Sequence, residues 1–414
     1  MKKEELQQLQ LRKLKALLNH AYENVPYYHE LFRKKGFRPN DFAKLEDLQK
    51  IPVLRRSDLR SKSNELIARN AKRSDLISCA TSGTTAAPIK FYHSKMEVPW
   101  YRAAEARAYS WAGYKTGDKV LYLRLLDSND VLARPRARIV RFVRRWKLLG
   151  GYDLSEKSMA SFCAENRNFK PDFVHGGAGP LNIFGVFLLE NSQYRIRPKA
   201  VFTYGQQLLP DYRKTIEEAF RSKVHDVYSS TEIPYVAAQC GSHDGLHVTD
   251  ENVFLEIEND GEAAAPGEEE RVLLTSLNNL EMPFIRYDVG DRGKMFGSDC
   301  TCGRGLSLFK PLGRSYEYFV HSDGTFTIFR DLQTVFEDLP IEDYEIVQES
   351  LDEIVIRIVK RAGYTQAHTN FILNKINLII SDIVKARVEL VDSVPLLGFG
   401  EVPHFVSKIP TKYT

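Results

Sequence analysis

Alternating strands and helices predict an α/β fold for the N-terminal part of this chain. Short apolar runs that end in glycine or a polar residue are typical of buried strands, and helical stretches follow two of them. The strands are expected at residues 120–123, 173–179 and 200–205, with helices at 181–190 and 210–221. Strands that alternate with helices usually form parallel βαβ units, whose ligands bind at the carboxyl ends of the strands. We therefore expect a large N-terminal domain of βαβ layers.

A change of pattern predicts two further parts of the chain. From about residue 246 short strands alternate with turn residues, which indicates a small β subdomain. Residues 318–414 are typical of a compact α+β unit. We place the boundary so that the N-terminal domain comprises residues 1–313 and the C-terminal domain comprises residues 314–414.

Apolar spacing predicts helices outside the alternating region as well. Leucines at three- and four-residue spacing predict a helix over residues 3–35, and a stretch rich in alanine and aromatic residues predicts another over 95–112. Residues 57–60 (Ser-Asp-Leu-Arg) are typical of a capped helix start. In the C-terminal unit we expect a strand at 353–359 and a helix at 365–381.

Composition excludes several classes of function. The chain has 414 residues, of which 43% are apolar and 27% charged, as in ordinary globular proteins. Its net charge of +4 is too small to argue for a nucleic-acid partner. No run of about 18 apolar residues predicts a membrane span, and the polar N-terminal residues do not read as a secretory signal. The five scattered cysteines predict no disulfide framework, so we expect a cytoplasmic protein.

A loop rich in hydroxyl groups and glycine is the most informative feature of the sequence. Residues 81–85 (Thr-Ser-Gly-Thr-Thr) are followed by Pro88 and an apolar, strand-like segment. Such a loop can direct backbone N–H groups and hydroxyls at phosphate oxygens. The spacing is not that of a Walker loop. An ordinary surface loop is the alternative.

Three later segments carry further groups that suit a nucleotide. Residues 228–232 (Tyr-Ser-Ser-Thr-Glu) combine an aromatic ring, hydroxyls and a carboxylate, residues 282–291 end in an acidic stretch, and residues 313–317 (Gly-Arg-Ser-Tyr-Glu) open the C-terminal unit. Together with the loop at 81–88, their order and spacing resemble the adenylate-forming superfamily of acyl-CoA synthetases, peptide-synthetase adenylation domains and luciferases. Within it the chain is most similar to the phenylacetate–CoA ligase and CapK-like branch, whose opening helix resembles residues 14–28.

The resemblance implies both a fold and a reaction. The fold would be a large N-terminal adenylate-forming domain with a small β subdomain, followed by a small mobile α+β lid. The reaction would activate a carboxylic acid with ATP and Mg²⁺ as an acyl-adenylate and transfer it to CoA, an acyl-carrier-protein thiol or an amine. Phe202, Tyr204 and Tyr228 favour an aryl or other planar acid. A homodimer is compatible with the resemblance, and no nucleic-acid partner is expected.

The resemblance also assigns ATP-binding residues. The loop that holds the β- and γ-phosphates matches Thr81, Ser82, Gly83, Thr84 and Thr85, whereas Ala86 and Ala87 depart from the usual glycine and lysine or small residue. Ala86 removes backbone freedom from the loop.

Further nucleotide contacts follow from the other three segments. Tyr228 is expected to stack on adenine, with Ser229 and Thr231 beside it, and Glu232 to ligate Mg²⁺. A capped helix N-terminus over residues 229–232 is the alternative.

The last two segments give the ribose and hinge residues. Asp291 matches the aspartate that accepts hydrogen bonds from the ribose, while Arg286 and Asp288 have structural ion pairing as the alternative. Arg314 matches the hinge arginine, next to an acidic hinge position at Glu317. The residues expected to act in catalysis are Thr84, Glu232 and Arg314.

Cysteine and histidine form a second constellation. Cys300 and Cys302 in a C-x-C pattern, with Cys240 and one histidine, make a four-ligand set for a structural Zn²⁺. The resembled branch often carries such a site, and its Gly-Leu-His pattern favours His247 over His243. Reduced cysteines near a surface loop are the alternative.

Two other groups of residues leave alternatives open. His175, Phe202 and Tyr204 are candidates for an acyl pocket, with packing in the core as the alternative. Residues 134–147 are strongly basic, with apolar residues at helical spacing. A solvated helix face is the first interpretation of this segment. Docking of an acidic carrier protein, CoA phosphates or a membrane is the second.

One position contradicts the resembled pattern. Adenylate-forming enzymes usually carry a lysine near the C-terminus that stabilises negative charge during adenylation, and here its place is taken by Glu401. Lys408 or Lys412 could substitute for it, or the first half-reaction could be slow. The alternative function is therefore a catalytically degenerate member that acts in binding or only in the second half-reaction.

Overall fold

The structure is a computed structural model of the full chain. The residues it describes are 1–80, 89–124, 139, 141–150, 154–205, 208–259, 262–296, 300–312, 318–320, 326–328, 332, 334–336, 339–380, 384–394 and 405–408.

The chain divides into two compact units. The first contains the described residues of Met1–Thr81, Ile89–Leu149 and Asn168–Arg314, and the second contains those of Gly150–Arg167 and Ser315–Thr414. The domain boundary between residues 313 and 314 stays a prediction, because residues 313–317 lie outside the described residues.

Two helices open the first unit where the sequence predicted one. Helix α1 is Lys3–Asn24 and helix α2 is Pro26–Lys35. The break lies at Val25, whose extended backbone (φ −105°, ψ 112°) is the conformation that a following proline favours. The short helix α3, Arg56–Ser61, begins one residue before the predicted start. Its first turn is closed by Asp58, whose side chain accepts the backbone N–H of Arg55 at 3.1 Å.

A hairpin and a helix follow in the first unit. Strands β1 (Leu76–Ala80) and β2 (Lys90–Ser94) pair antiparallel, and helix α4 (Val98–Trp111) begins four residues after β2. The residues between the two strands include the predicted phosphate loop and lie outside the described residues.

The described strands of the first unit also form one twelve-stranded sheet, in the order β11-β10-β12-β13-β14-β9-β8-β7-β6-β5-β3-β4. Strands β3, β5, β6 and β7 run parallel, as the βαβ pattern predicted. Helices α6 and α7 connect β5 to β6 and β6 to β7. These elements are β3 (Val120–Arg124), β4 (Trp146–Gly150), β5 (Phe173–Gly177), α6 (Ala178–Glu190), β6 (Ala200–Tyr204), α7 (Pro210–Phe220) and β7 (Val224–Tyr228).

Seven further strands of this sheet are antiparallel and form the predicted β region. They are β8 (Ala237–Gln239), β9 (Leu246–Val248), β10 (Val253–Asn259), β11 (Glu262–Ala263), β12 (Glu270–Ser276), β13 (Tyr287–Met295) and β14 (Leu308–Pro311). Helices α1 and α2 bury Leu14, Leu18 and Phe32 in one hydrophobic core with residues of β12 and β13, including Leu274 and Tyr287.

The second unit is an α+β arrangement. Its described strands form a two-stranded sheet (β15-β16) and a four-stranded sheet in the order β19-β18-β17-β20. Its core contains Ile356, Ile358, Ile372 and Ile376 from a central strand and a helix. The elements are α5 (Glu156–Glu165), β15 (Tyr318–Val320), β16 (Phe326–Ile328), β17 (Ile341–Ser350), β18 (Glu353–Lys360), α8 (Gln366–Ile380), β19 (Lys385–Leu390) and β20 (Phe405–Ser407).

The predicted α/β class is confirmed by this architecture. Within the described part of the chain, no helix combines the length and the apolar character needed to cross a membrane.

Candidate active site

Strand β13 brings two of the predicted nucleotide residues together. Asp291 lies within β13 and Tyr228 ends β7. The Tyr228 hydroxyl donates a hydrogen bond to Asp291 Oδ2 at 2.7 Å, and the Tyr228 ring packs against Phe309 of β14 with centroids 5.1 Å apart. The tyrosine ring is therefore held at both its hydroxyl and its face.

The backbone before Asp291 has a conformation that favours glycine. Gly290 has φ +75°, in the left-handed region that side chains with a Cβ disfavour. Its N–H donates to Asp288 Oδ1 at 2.9 Å, and the pairing of β12 with β13 changes register beside it, between Arg271 and Leu273. This irregularity fixes where the Asp291 side chain leaves the strand.

The predicted magnesium ligand is also tied to β13. Glu232 is 5% exposed, and its Oε1 accepts a hydrogen bond from the Tyr287 hydroxyl at 2.8 Å. An Arg56 Nη2 lies 3.8 Å from the same oxygen. Burial and the Glu232 charge raise the pKa of Tyr287, so the phenol stays a proton donor. One buried carboxylate fits Mg²⁺, which binds protein through one or two carboxylates and takes its other ligands from phosphates and water.

Residues 229–236 form a hairpin connection and not the helix N-terminus that was the alternative. Tyr228 pairs with Ala237, so β7 continues directly into β8 through this connection. The serine hydroxyls serve the turn: Ser230 Oγ accepts the N–H of Ile233 at 2.9 Å, and Ser229 Oγ accepts that of Tyr235 at 3.1 Å. Short polar side chains bind nearby backbone in turns as they do at helix caps, which is why the sequence is compatible with both.

A buried histidine links the strand after the predicted phosphate loop to this turn. His93 of β2 contacts the Thr231 carbonyl oxygen through Nε2 at 2.9 Å and Glu97 Oε2 through Nδ1 at 3.0 Å. The other Glu97 oxygen accepts from the Ser276 hydroxyl of β12 at 2.8 Å. Burial lowers the pKa of His93. Glu97, the Thr231 carbonyl and Glu232 together raise this pKa by more than burial lowers it, so the net shift is upward.

Replacing His93 by glutamine is expected to destabilise the protein most at low pH. Because the pKa of His93 is raised in the folded state, the proton stabilises the fold below the unfolded pKa of about 6.5, and this contribution disappears as pH rises through the folded pKa. The difference in thermal midpoint between the parent and His93→Gln should therefore be larger at about pH 6 than at about pH 9.

The control for this prediction is His225→Gln. Burial and the neighbouring His243 lower the pKa of His225 to about 4, so the pH trend of its difference should run in the opposite direction. If His93→Gln and the parent differ in thermal midpoint by the same amount at both pH values, the raised pKa of His93 is contradicted.

Arg286 and Asp288 take structural roles with partners other than each other. Arg286 is 2% exposed, and its Nε donates to both Glu256 oxygens at 3.1 and 3.2 Å. Its Nη1 also donates to the carbonyl oxygen of Ile51 at 2.6 Å. Asp288 Oδ2 lies 3.5 Å from Arg271 Nη1. Each of the two residues therefore has an ion-pair partner, Glu256 for Arg286 and Arg271 for Asp288.

Several predicted site residues lie outside the described residues. They are Thr81, Ser82, Gly83, Thr84, Thr85, Ala86, Ala87, Arg314, Glu317, Glu401 and Lys412. Lys408, the other substitute considered for the missing lysine, is described, and its Nζ donates to Glu349 Oε2 of the second unit at 2.6 Å.

The structure brings the four predicted zinc ligands into one cluster. The ligand atoms of Cys240, His247, Cys300 and Cys302 all lie within 4.8 Å of one another. The Cys240 and Cys300 sulfurs are 3.6 Å apart, and the Cys302 sulfur lies 3.2 Å from His247 Nε2. All five cysteines of the chain are free thiols.

These distances fit a tetrahedral metal site. With Zn–S bonds of about 2.3 Å, tetrahedral geometry separates two sulfurs by about 3.8 Å, whereas a disulfide separates them by about 2.05 Å. Asp244 braces the loop that carries two of the thiols, because its Oδ2 accepts the backbone N–H of Thr301 at 3.0 Å and the Thr301 hydroxyl at 2.7 Å. His243, the rejected alternative, packs on His225 with ring centroids 4.8 Å apart.

Aromatic residues gather where two parallel strands end. His175 of β5 lies against Tyr204 of β6, with ring centroids 4.6 Å apart. Its Nε2 is 2.7 Å from the Tyr109 hydroxyl, which is itself 2.7 Å from the Tyr235 hydroxyl. His175 and Phe202 are buried, whereas Tyr204 is partly exposed. The three acyl-pocket candidates therefore share one aromatic cluster.

Sequence reasoning missed the groups that support the site. Arg56, His93 and Glu97 lie outside the segments that the sequence singled out for nucleotide binding, and Tyr287 lies within residues 282–291 but was given no role. The only available signal was the four-residue spacing of His93 and Glu97. This spacing crosses from a strand end to a helix start and does not read as one helical face.

Comparisons with known proteins agree with the resemblance. No protein-family model matches the chain. Phenylacetate-coenzyme A ligase of Escherichia coli is 28% identical over 307 residues, covering 70% of this chain and 67% of that protein. The protein of the same name from Thermus thermophilus is 24% identical over 377 residues, covering 86% and 82%. Protein CapK of Staphylococcus aureus is 19% identical over 374 residues, covering 86% and 78%.

Solved structures share the fold across nearly the whole chain. A 2-hydroxyisobutyryl-CoA ligase in complex with 2-HIB-AMP and CoA superposes with a TM-score of 0.70 at 20% identity, covering 98% of this chain and 90% of that one. The same ligase in its postadenylation state gives a TM-score of 0.64. The chain therefore shares the fold of this CoA ligase. With the sequence matches, this shared fold confirms the predicted resemblance to the phenylacetate–CoA ligase and CapK-like branch of the adenylate-forming superfamily.

Proposed function

We propose that this chain is an ATP- and Mg²⁺-dependent, AMP-forming ligase that activates a carboxylic acid and passes the acyl group to a thiol. The observation that carries the proposal is the joining of Tyr228, Asp291 and Glu232 through β13. In the motifs that the chain resembles, Tyr228 matches the residue that stacks on adenine, Asp291 the residue that binds ribose, and Glu232 the magnesium ligand. The relatives named as coenzyme A ligases support the same reaction.

In the proposed first half-reaction, a carboxylate oxygen of the acid attacks the α-phosphorus of ATP. The bond from that phosphorus to the bridging oxygen breaks, pyrophosphate leaves, and an acyl-adenylate remains. Bound Mg²⁺ would neutralise phosphate charge during this step. Tyr228 would offer its ring face to adenine. Asp291 can accept from the ribose while accepting from Tyr228, because a carboxylate has about four lone-pair sites.

In the proposed second half-reaction, a thiol attacks the acyl carbon. The bond between that carbon and the AMP oxygen breaks, AMP leaves with the electron pair, and the thiol proton passes to water. CoA is the acceptor that the relatives' names support, with a carrier-protein thiol or an amine as alternatives. Arg314 would act as the hinge of a C-terminal lid that rotates between the two steps.

The acid is proposed to bind beside the aromatic cluster at the ends of β5 and β6. Ligands of parallel sheets bind beyond the carboxyl ends of the strands; Tyr204 is the last residue of β6, and His175 lies two residues before the end of β5. The rings of His175 and Tyr204 lie together here, with centroids 4.6 Å apart, and aromatic side chains favour contact with other flat rings. An aryl acid is therefore the first class to test.

One observation favours a second candidate function. Glu401 stands where the superfamily usually carries lysine, and a carboxylate there would repel the phosphates that the lysine stabilises. A member that binds ATP without adenylating, or that performs only the second half-reaction, would tolerate this change.

The experiment is a product assay across a panel of aryl, fatty and amino acids. The full chain is incubated with ATP, Mg²⁺ and each acid, with and without CoA, and AMP and thioester are measured. AMP formation that depends on one class of acid is the expected result. If the protein binds ATP but forms AMP with no acid, and Glu401→Lys forms it, the degenerate candidate is correct. If neither protein forms AMP, the proposed ligase is wrong.

A further inference from the structure

The segment of residues 134–147, here called the basic–apolar segment, has no part in the proposed reaction. It holds seven arginines and lysines and no aspartate or glutamate. The whole chain carries +4, so the residues outside this segment sum to −3. Residues 134–138 and 140 of this segment lie outside the described residues, so the surface argued below is that of residues 139 and 141–147.

Apolar side chains in the same segment are exposed. In the part that the structure describes, Ile139, Phe142 and Val143 are 69%, 85% and 70% exposed. Their spacing of three and four residues places them on one side of a helical turn. The other described apolar side chains that are more than 60% exposed, Met1, Met96 and Leu378, lie singly. Three exposed together form a patch of the kind that marks an interaction site.

Cations flank this patch. Arg144, Arg145 and Lys147 are exposed, and Arg144 lies over the ring of Trp146 with its Cζ 4.9 Å from the centroid. Among the residues that the structure describes, none forms an ion pair with Arg144 or Lys147. Trp146 begins β4, which is the last strand of the sheet order at that edge.

We propose that residues 139 and 141–147 of the basic–apolar segment attach the protein to an anionic membrane surface. An interfacial segment needs apolar side chains that enter the headgroup region and cations that meet lipid phosphates, and this segment presents both. A phosphate ligand alone, such as CoA or a nucleic acid, would match the arginines but give no partner to Phe142 and its neighbours. The attachment is peripheral and independent of the ligase reaction.

The test is sedimentation of the full chain with lipid vesicles. Vesicles of phosphatidylcholine containing about a third phosphatidylglycerol are compared with pure phosphatidylcholine at about 0.15 M salt, where the Debye length is about 8 Å. The protein should sediment with the anionic vesicles, remain in solution with the neutral ones, and be released at higher salt.

Two double variants separate the two parts of the surface. Phe142→Ser with Val143→Ser should weaken partitioning by about tenfold or more. Arg144→Glu with Lys147→Glu should weaken it by about 25-fold or more, since each cation near the surface contributes about fivefold. Leu378→Ser and Lys375→Glu, both exposed on α8, are the matched controls and should bind like the parent. Circular dichroism checks that every variant is folded.

Two results would overturn the proposal. One is the absence of binding to anionic vesicles, or binding that both double variants retain. The other is that an acidic acyl carrier protein binds the parent and not the double variants, while anionic vesicles bind neither the parent nor the variants. That result would assign the surface to a protein partner. Phe142→Trp adds a second readout: the difference between its emission and that of the parent, which already has three tryptophans, should shift to shorter wavelength with anionic vesicles, and an unchanged difference spectrum contradicts insertion.

Discussion

Glu232→Gln is expected to lower the rate of acid-dependent AMP formation by about 10²- to 10³-fold, the usual effect of removing one group that stabilises transition-state charge. Glutamine has the same size and can still accept the hydrogen bond that Tyr287 gives to Glu232 at 2.8 Å. The fold should therefore persist, while the charge that would hold Mg²⁺ is lost. The rate is measured at saturating ATP across a series of Mg²⁺ concentrations.

Tyr287→Phe is the matched control for this change. It removes the hydrogen-bond donor to Glu232 but keeps the carboxylate, so the loss of rate should be within about tenfold, consistent with one hydrogen bond of about 1 kcal/mol. A Glu232→Gln protein that is folded, as judged by its thermal midpoint, and still forms AMP at more than half the parent rate would show that Glu232 is not the magnesium ligand.

Cys302→Ser is expected to remove the bound metal and to lower the thermal midpoint. The four clustered ligand atoms lie within 4.8 Å, so loss of one thiolate leaves three donors around a site built for four. Loss of a structural metal belongs to the mechanisms that cost more than about 4 kcal/mol. For a unit of this size, that corresponds to a fall of about 6 °C or more. Zinc is measured by elemental analysis of protein purified without chelators.

Cys79→Ser is the control for the metal site. Cys79 lies in the same unit but outside the cluster, and it should keep one zinc per chain and a midpoint near that of the parent. Parent protein that contains no zinc, together with a Cys302→Ser midpoint equal to that of the parent, would contradict a structural zinc site.

The fold could be predicted from local patterns because its elements have strong ones. The apolar runs that became β5 (Phe173–Gly177) and β6 (Ala200–Tyr204) were bounded by glycine and followed by helical stretches. The helix over residues 3–35 was wrong in one respect, since Pro26 disfavours helical backbone at Val25 and divides it in two. The proline was visible in the sequence, and leucine periodicity on both sides of it concealed the break.

The site could be predicted only in part, because its contacts join distant segments. Tyr228 and Glu232 stood out for their chemistry, but the hydrogen bonds from Tyr228 to Asp291 and from Tyr287 to Glu232 depend on where β13 lies in the sheet. The position of Arg56 depends on Leu54, whose backbone pairs with Arg286 and Asp288 beside β13 at 3.0 Å on each side. Strand order across an antiparallel sheet is not encoded in local spacing.

The central claim is that this chain adenylates a carboxylic acid, and pyrophosphate exchange tests it most directly. Labelled pyrophosphate is incubated with the full chain, ATP, Mg²⁺ and each class of acid in the absence of any thiol, and label in ATP is measured. Because exchange requires reversible formation of the acyl-adenylate, it isolates the first half-reaction from thiol transfer and lid movement. We expect label to enter ATP only when the correct acid is present. Absence of exchange with every acid, by protein that binds ATP, would contradict adenylation and leave binding or the second half-reaction as the function.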